Sequence, residues 1–347
     1  MLFPMAGRAI LDTVDTSFGS DRNGLVWGYV FRPGCPPAPV EADGAGRLLA
    51  RPDDQPWFLW LHFSLSNAAT ERWLRLHAGL PESFLTGLRE SGVSTRLEQD
   101  GSALIAVIHD VLFDFGFDAA DVATACLCVG PRMLVSARPR PLRSLDRLRG
   151  AVKAGRIFDS PVDLLAHLLQ EQANVLVEIV RKSTERVDAI EDALLANRIS
   201  FSRAELSALR RMLVRLQRLL APEPAALFRL LARPPGWIAE PQLQNLRQSA
   251  EEFSAVVTDC AALGERIRLV QEELAARIGE QSNRILFFLT LVTVLAVPFN
   301  LIGGMFGMNV GGIPLAGHPH GFAIIVAGVA ACTAVAAWLA LRRPWRW

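Results

Sequence analysis

The sequence predicts an α/β cytoplasmic domain followed by a long stalk helix and two C-terminal transmembrane helices. Three observations carry this reading. From Ile285 to Leu341 there is no Asp, Glu, Lys or Arg, so all 71 charged residues lie in the other 290 positions. Between Pro241 and Pro298 no proline interrupts a continuous helical periodicity. The first 140 residues instead alternate short apolar runs with polar or Gly/Pro-rich segments, the pattern of strands.

The chain has 347 residues, of which 51% are hydrophobic, and a mean hydropathy of +0.25. That excludes disorder and is high for a purely soluble protein. Lys and Arg number 36 against 35 Asp and Glu, so no global basic excess draws the chain onto nucleic acid. Five cysteines, an odd count, and a start from Met1 to Leu11 without a secretory pattern argue against a disulfide framework. Cys126 and Cys128 share one strand face. With no second Cys or His pair at structural-zinc spacing, they read as core thiols.

Residues 1–140 form the cytoplasmic α/β domain. Strand candidates are Leu25 to Phe31, Phe58 to Phe63, Ala103 to Leu112 and Thr124 to Val129. Thr70 to Leu80 and Ser83 to Glu90 read as helices, and Pro33 to Gly46 as a loop. No nucleotide-binding fingerprint, HExxH or nucleophile elbow occurs, so the chain does not read as an enzyme. His62, His77 and His109 fall on strands or a helix and read as structural.

Residues 141–240 form a cytoplasmic helical region. A helix capped by Asp159 or Ser160 opens at Pro161 and runs to about Asn197. Phe201 to Leu220 follows, with Leu206, Leu209, Leu213, Leu216 and Leu220 on one face, and then a short helix from Ala225 to Leu231. Residues 241–308 are the stalk helix continuing into the first transmembrane helix, whose membrane part is 285–308. At 1.5 Å per residue such a helix is about 100 Å long. Residues 309–321 are a periplasmic loop marked by Gly311-Gly312 and two prolines, 322–341 the second transmembrane helix and 342–347 a cytoplasmic basic tail.

Arg277 and Arg284 precede the first span, and Arg342, Arg343 and Arg346 follow the second, whereas the loop has no basic residue. Both termini should therefore be cytoplasmic. Trp338, Trp345 and Trp347 suit an interfacial belt at the same exit. The competing reading, a hairpin buried in a soluble core, has to account for 57 consecutive uncharged residues.

Steps of three and four from Asn283 reach Leu286, Thr290, Thr293, Val297, Asn300, Gly304 and Gly307. This stripe collects most of the polar and small side chains of the first span. Polar groups in hydrocarbon must face protein or water, so the stripe is either a helix-packing seam or the lining of a pore. A helix this long also needs partners along its apolar face, which predicts oligomerisation.

At the end of this span stand Gly307, Met308 and Asn309, followed by Val310-Gly311-Gly312-Ile313-Pro314. With Asn283, Leu289-Thr290, Pro298 and Ile190-Glu191, this resembles the CorA superfamily of divalent-cation transporters, whose signature is a Gly-Met-Asn tripeptide at the outer end of the first of two C-terminal spans. The resemblance implies a funnel-shaped homopentamer in a bacterial inner membrane, with a pore lined by the stripe. Gly307, Met308 and Asn309 would form the selectivity mouth, and Asn309 would hold the cation through its hydration water.

The Gly-Gly-x-Pro loop resembles the ZntB zinc-transporting branch, while Met308 resembles the magnesium branch. Zinc is the expected cargo, with magnesium, cobalt, nickel or cadmium as alternatives, and no resident cofactor is implied. Partners are the lipid bilayer, divalent cations and, for a coupled mechanism, protons. His318 and His320 in the loop and Glu272 and Glu280 on the stalk are further candidate metal ligands, against the simpler reading of polar filler and solvated carboxylates. A reading from another class is a membrane-anchored sensor or scaffold, for which no output motif is found.

Overall fold

The computed structural model describes residues 19–50, 56–89, 95–196, 203–308, 311–312, 314–315 and 317–342. The chain divides into two compact units, with the boundary after Leu269.

In the first unit the strands are β1 (Leu25–Phe31), β2 (Ala38–Pro39), β3 (Phe58–Ser64), β4 (Arg96–Asp100), β5 (Ala103–Val111), β6 (Val122–Val129) and β7 (Met133–Arg138). They form one sheet in the order β2-β1-β3-β7-β6-β5-β4. Only β3 and β7, at its centre, are parallel. A strand buried on both faces has no reason to alternate in polarity, and β3 (FLWLHFS) is accordingly buried throughout.

Side chains alternate between two cores with the period of two that a strand imposes. Phe58 and Trp60 of β3 and Leu104, Ala106 and Ile108 of β5 face one core, shared with the helices α4 (Arg143–Lys153) and α5 (Pro161–Leu195). Leu59, Leu61 and Phe63 face the other, with α1 (Ala42–Leu49), α2 (Ala69–His77) and α3 (Glu82–Gly87). Cys126 and Cys128 lie together in this second core, and burial pushes their thiols up to about 11 and about 12. They are uncharged packing groups.

Four elements, β2, α1, β4 and β7, differ from the sequence expectation. The segment read as a loop from Pro33 to Gly46 contains β2 and the start of α1, whose Ala42 and Ala45 are buried although its sequence carries two glycines. β4 is a polar edge strand with no apolar run to announce it, turned onto β5 by Gly101 at φ 59°. β7 is too short and too plain to stand out, and its place is fixed by pairing with β3 and β6.

The helices of this unit begin where the local chemistry requires. Ser160 caps α5: its Oγ accepts from the Asp163 amide at 3.1 Å, and Pro161 occupies the first turn, where no amide is needed. α6 (Arg203–Leu220) buries Leu206, Leu209, Leu213, Leu216 and Leu220, as its periodicity predicts. α7 (Pro222–Ala232) follows directly. α8 runs from Glu240 to Phe306, 67 residues, and continues into the second unit. Its part in the first unit buries Leu246, Ala250, Phe253 and Val257, again at helical spacing.

The second unit holds the rest of α8 and α9 (Gly321–Arg342). Among the described residues α8 is the one helix long and apolar enough to cross a membrane, and α9 contributes a shorter apolar stretch, Gly321–Val335. Between Asn283 and Met308 every residue is exposed except Leu291, Leu295, Pro298 and Ile302, which are half covered and fall on one helical face. On α9, Ile325, Val329, Thr333 and Ala337 repeat every four residues as the covered face.

Candidate functional site

The stripe residues Asn283, Leu286, Thr290, Thr293, Val297, Asn300 and Gly304 are all exposed along one side of α8. At about 100° per residue, this stripe is centred roughly 150° from the covered face of Leu291, Leu295, Pro298 and Ile302. The polar stripe is therefore uncovered within the chain, as are apolar side chains on the flanking faces such as Phe288, Val292 and Phe299. Thr290 and Thr293 donate their hydroxyl protons to the carbonyls of Leu286 and Leu289 at 2.8 and 2.9 Å. Their oxygens then present lone pairs outward, which suits a cation or the oxygen-bound shell of water around it.

Near the end of the helix, Gly303 and Gly304 have open space where a Cβ would stand, while a Cβ on Gly307 would approach the Gly303 carbonyl at 3.1 Å. The Gly307 amide donates to that same carbonyl at 3.0 Å, continuing the helical pattern past Phe306. Met308 is exposed. Asn309, with Val310 and Ile313, lies outside the described residues, as do Arg343, Trp345, Arg346 and Trp347. In the loop, His318 and His320 are exposed with ring centroids 6.2 Å apart, and the His320 amide donates to His318 Nδ1 at 3.2 Å.

On the stalk, Glu272 and Glu280 are exposed. Glu280 falls on the side of Leu291 rather than on the polar stripe. Glu265 pairs with Arg268, whose guanidinium holds its carboxyl below the usual range, and Arg277 pairs with Glu273. No group of three or more His, Cys, Asp or Glu able to hold a metal ion occurs among the described residues.

The first unit contains a buried polar cluster that no sequence motif signals. Glu223, in the first turn of α7, accepts from the His109 amide of β5 at 2.7 Å and from Gln172 of α5 at 3.4 Å. Next to His109, Asp110 accepts from the amide and hydroxyl of Ser144 at 2.8 and 2.9 Å, fastening α4 to the same strand. Burial pushes the Asp110 carboxyl up to about 6 and that of Glu223 well above its ordinary value. These groups join three helices to one strand, and only tertiary pairing brings them together.

His62, read as structural, is fully buried and stacked on Trp27 with centroids 3.9 Å apart. It lies between the Ser136 hydroxyl at 2.7 Å and the Arg138 guanidinium, which donates to its Nε2 at 2.7 Å. Burial first, and the charges of Arg138 and Arg149 second, hold its pKa well below the ordinary value. It is a neutral packing histidine.

A long helix, apolar and uncharged at its end, with a polar stripe uncovered and an α/β domain before it, is the outline of a stalk-and-domain membrane protein. The family described as CorA-like Mg2+ transporter protein matches residues 57–343, and the chain belongs to it. It is a family of divalent-cation transporters, not of enzymes. Among its relatives are the divalent cation transporter CmaX of Pseudomonas aeruginosa, 28% identical over 327 residues that cover 89% of this chain and 94% of that protein, and the zinc transport protein ZntB of Pectobacterium atrosepticum, 23% identical with 78% and 85% covered. Among solved structures, full-length CmaX superposes with a TM-score of 0.79 at 26% identity, covering 92% of this chain and 99% of that one. The CorA magnesium transporter of Methanocaldococcus jannaschii superposes with a TM-score of 0.74 at 19% identity, covering 92% and 98%.

Proposed function

We propose that this divalent-cation transporter works as a homopentamer in a bacterial inner membrane, with the α8 stripe lining an axial pore and zinc as its cargo. The observation that carries the pore is the opposition of faces on α8. The side bearing Thr290, Thr293 and Asn300 is uncovered, while the apolar Leu291, Leu295 and Ile302 are half covered. α8 and α9 then form the two spans, packed on these covered faces, with both termini cytoplasmic and the His318 to His320 loop outside.

In this reading Asn309 supplies a ring of carboxamides at the outer mouth, beside Gly307 and Met308. Neutral amides hydrogen-bond the shell of a hydrated divalent ion without requiring it to shed all its water at entry. The carbonyl end of α8 points the same way, and several such ends add partial negative charge at a mouth with no acidic residue. His318 and His320 offer imidazole nitrogens that favour zinc over magnesium at that entrance.

Zinc is supported by the acid-free Gly311-Gly312 loop and by relatives named as zinc transport proteins. Magnesium is the second reading, favoured by the intact Gly307-Met308-Asn309 tripeptide. No Asp, Glu or His occurs in 285–308, so a proton coupled to transport would pass with pore water or titrate outside the span.

Metal entry into liposomes holding the purified protein tests all of this, comparing zinc with magnesium, with and without an inward proton gradient, beside Asn309→Ala. Zinc entry lost in the variant supports the proposal, and its enhancement by the gradient supports coupling. Magnesium entry indifferent to pH assigns the chain to the magnesium reading. No entry of either metal by folded protein favours the sensor or scaffold.

A further inference from the structure

On α6, Arg211, Arg215 and Arg218 are exposed and stand four and three residues apart, on one helical face. Like charges at this spacing repel and weaken a helix. Elsewhere in the same unit arginines meet carboxylates: Arg147 lies 2.8 Å from Glu178, and Arg266 lies 2.7 Å from Asp188. Among the described residues no carboxylate forms an ion pair with Arg211, Arg215 or Arg218.

These three side chains, with Arg210, line an open groove of about 640 Å³. Its remaining walls are apolar: Val214, which is 49% exposed, Leu219, and Ala119 from the loop between β5 and β6. No acidic side chain lines it. The volume is in the range of small-ligand sites. Guanidinium groups bind phosphate oxygens in a bidentate fork, and an adjoining apolar wall suits the flat face of a base.

We propose that this groove binds a nucleoside polyphosphate, its phosphate chain across Arg211, Arg215 and Arg218 and its base against Val214 and Leu219. Bound phosphate offsets the repulsion among the three arginines, so occupancy stabilises α6. Free nucleotide carries more negative charge than its metal complex and binds more tightly. Occupancy thus rises when divalent cations are scarce, which gives the soluble unit of a cation transporter a signal of metal supply.

The test titrates ATP in EDTA into the full-length protein in detergent, by calorimetry and by thermal unfolding, and repeats both with ATP saturated with magnesium. The wild type should bind saturably, more tightly without metal, with a Tm that rises on binding. The triple variant R211Q/R215Q/R218Q should bind at least tenfold more weakly with a Tm that ATP does not move. Its own Tm should equal or exceed that of the wild type, because repulsion has been removed. If the triple variant fails to fold, R215Q alone should weaken binding at least threefold. R32Q, on another part of the surface, should leave affinity unchanged.

Absence of saturable binding at millimolar ATP overturns the proposal, as does an equal loss in R32Q. So does binding to phosphatidylglycerol vesicles that needs the three arginines while ATP does not bind, which would make the groove a lipid-headgroup site.

Discussion

Glu223 is 2% exposed, and the two groups that donate to it, the His109 amide and the Gln172 side chain, are neutral. Burial therefore favours its protonated form, and the nearby Asp110 carboxylate adds to this. A carboxyl whose folded pKa is raised costs stability as pH climbs from its unfolded value toward its folded one. Asp110 alone, raised from 3.8 to about 6, makes the fold lose on the order of 3 kcal/mol across that window. Glu223→Gln keeps the acceptor for His109 and removes the buried ionisable group, giving up only the long 3.4 Å acceptor for Gln172. The variant should unfold at a higher temperature than the wild type at pH 8 and at about the same temperature at about pH 4, below the unfolded carboxyl value, read by thermal unfolding in detergent. A difference independent of pH would mean that the carboxylate is not held neutral. Gly24 gives a simpler case: its φ is +86°, and a Cβ would stand 1.9 Å from the Thr70 hydroxyl. Gly24→Ala should lower stability by about 2 kcal/mol or more, through backbone strain and displacement of α2. Little of this was legible in the sequence. Asp110 and Glu223 carry no motif, and 113 positions separate them. The structural role of His62 could be read, because it sits inside an apolar strand.

At the scale of elements, legibility followed the length of the periodic signal. α5, α6 and α8 matched their expected spans closely, because each repeats its apolar spacing over several turns, and α5 and α8 also start at a proline. β4 and α1 were missed because one is a polar edge and the other is held by tertiary burial of two alanines. The cap of α5 can be weighed directly. Ser160→Ala removes the acceptor of the Asp163 amide and should cost about 1 kcal/mol in unfolding, with Ser160→Asn restoring most of it. On α8 the faces make opposite demands. Asn300 lies on the polar stripe and Val292 roughly 120° away from its centre. A phenylalanine at Asn300 should block cation flux into liposomes, whereas Val292→Phe should reduce it far less. Equal losses would show that the stripe does not face the conducting path. The stripe is a pattern of the sequence itself, conspicuous because polar spacing stands out in an apolar helix; what covers each face is not, because a sequence does not say which surfaces meet.

For the whole molecule, the question is what covers the exposed apolar surface of the second unit. Ile285, Phe288 and Leu289 are 60% exposed or more, and Phe322 is 83% exposed. Lipid can cover such side chains, since they are as apolar as the acyl chains around them. It cannot satisfy Asn300, nor the oxygens of Thr290 and Thr293, at low cost, so these need water or a second chain. A single copy of α8 offers neither within a bilayer. The proposed arrangement of several copies about an axis would offer both, with the polar stripes around a common aqueous path and the covered faces toward α9. This arrangement predicts which positions approach their counterparts. In a background where the exposed Cys35 and Cys332 are replaced by serine, Thr293→Cys should be joined between subunits by a short bifunctional thiol reagent, giving a ladder up to the pentamer on denaturing gels. Leu295→Cys, one half turn away on the covered face, should give monomer under the same treatment. Cross-linking at Leu295 in preference to Thr293 would place the apolar face at the axis and turn the stripe outward, and the pore reading would fall with it.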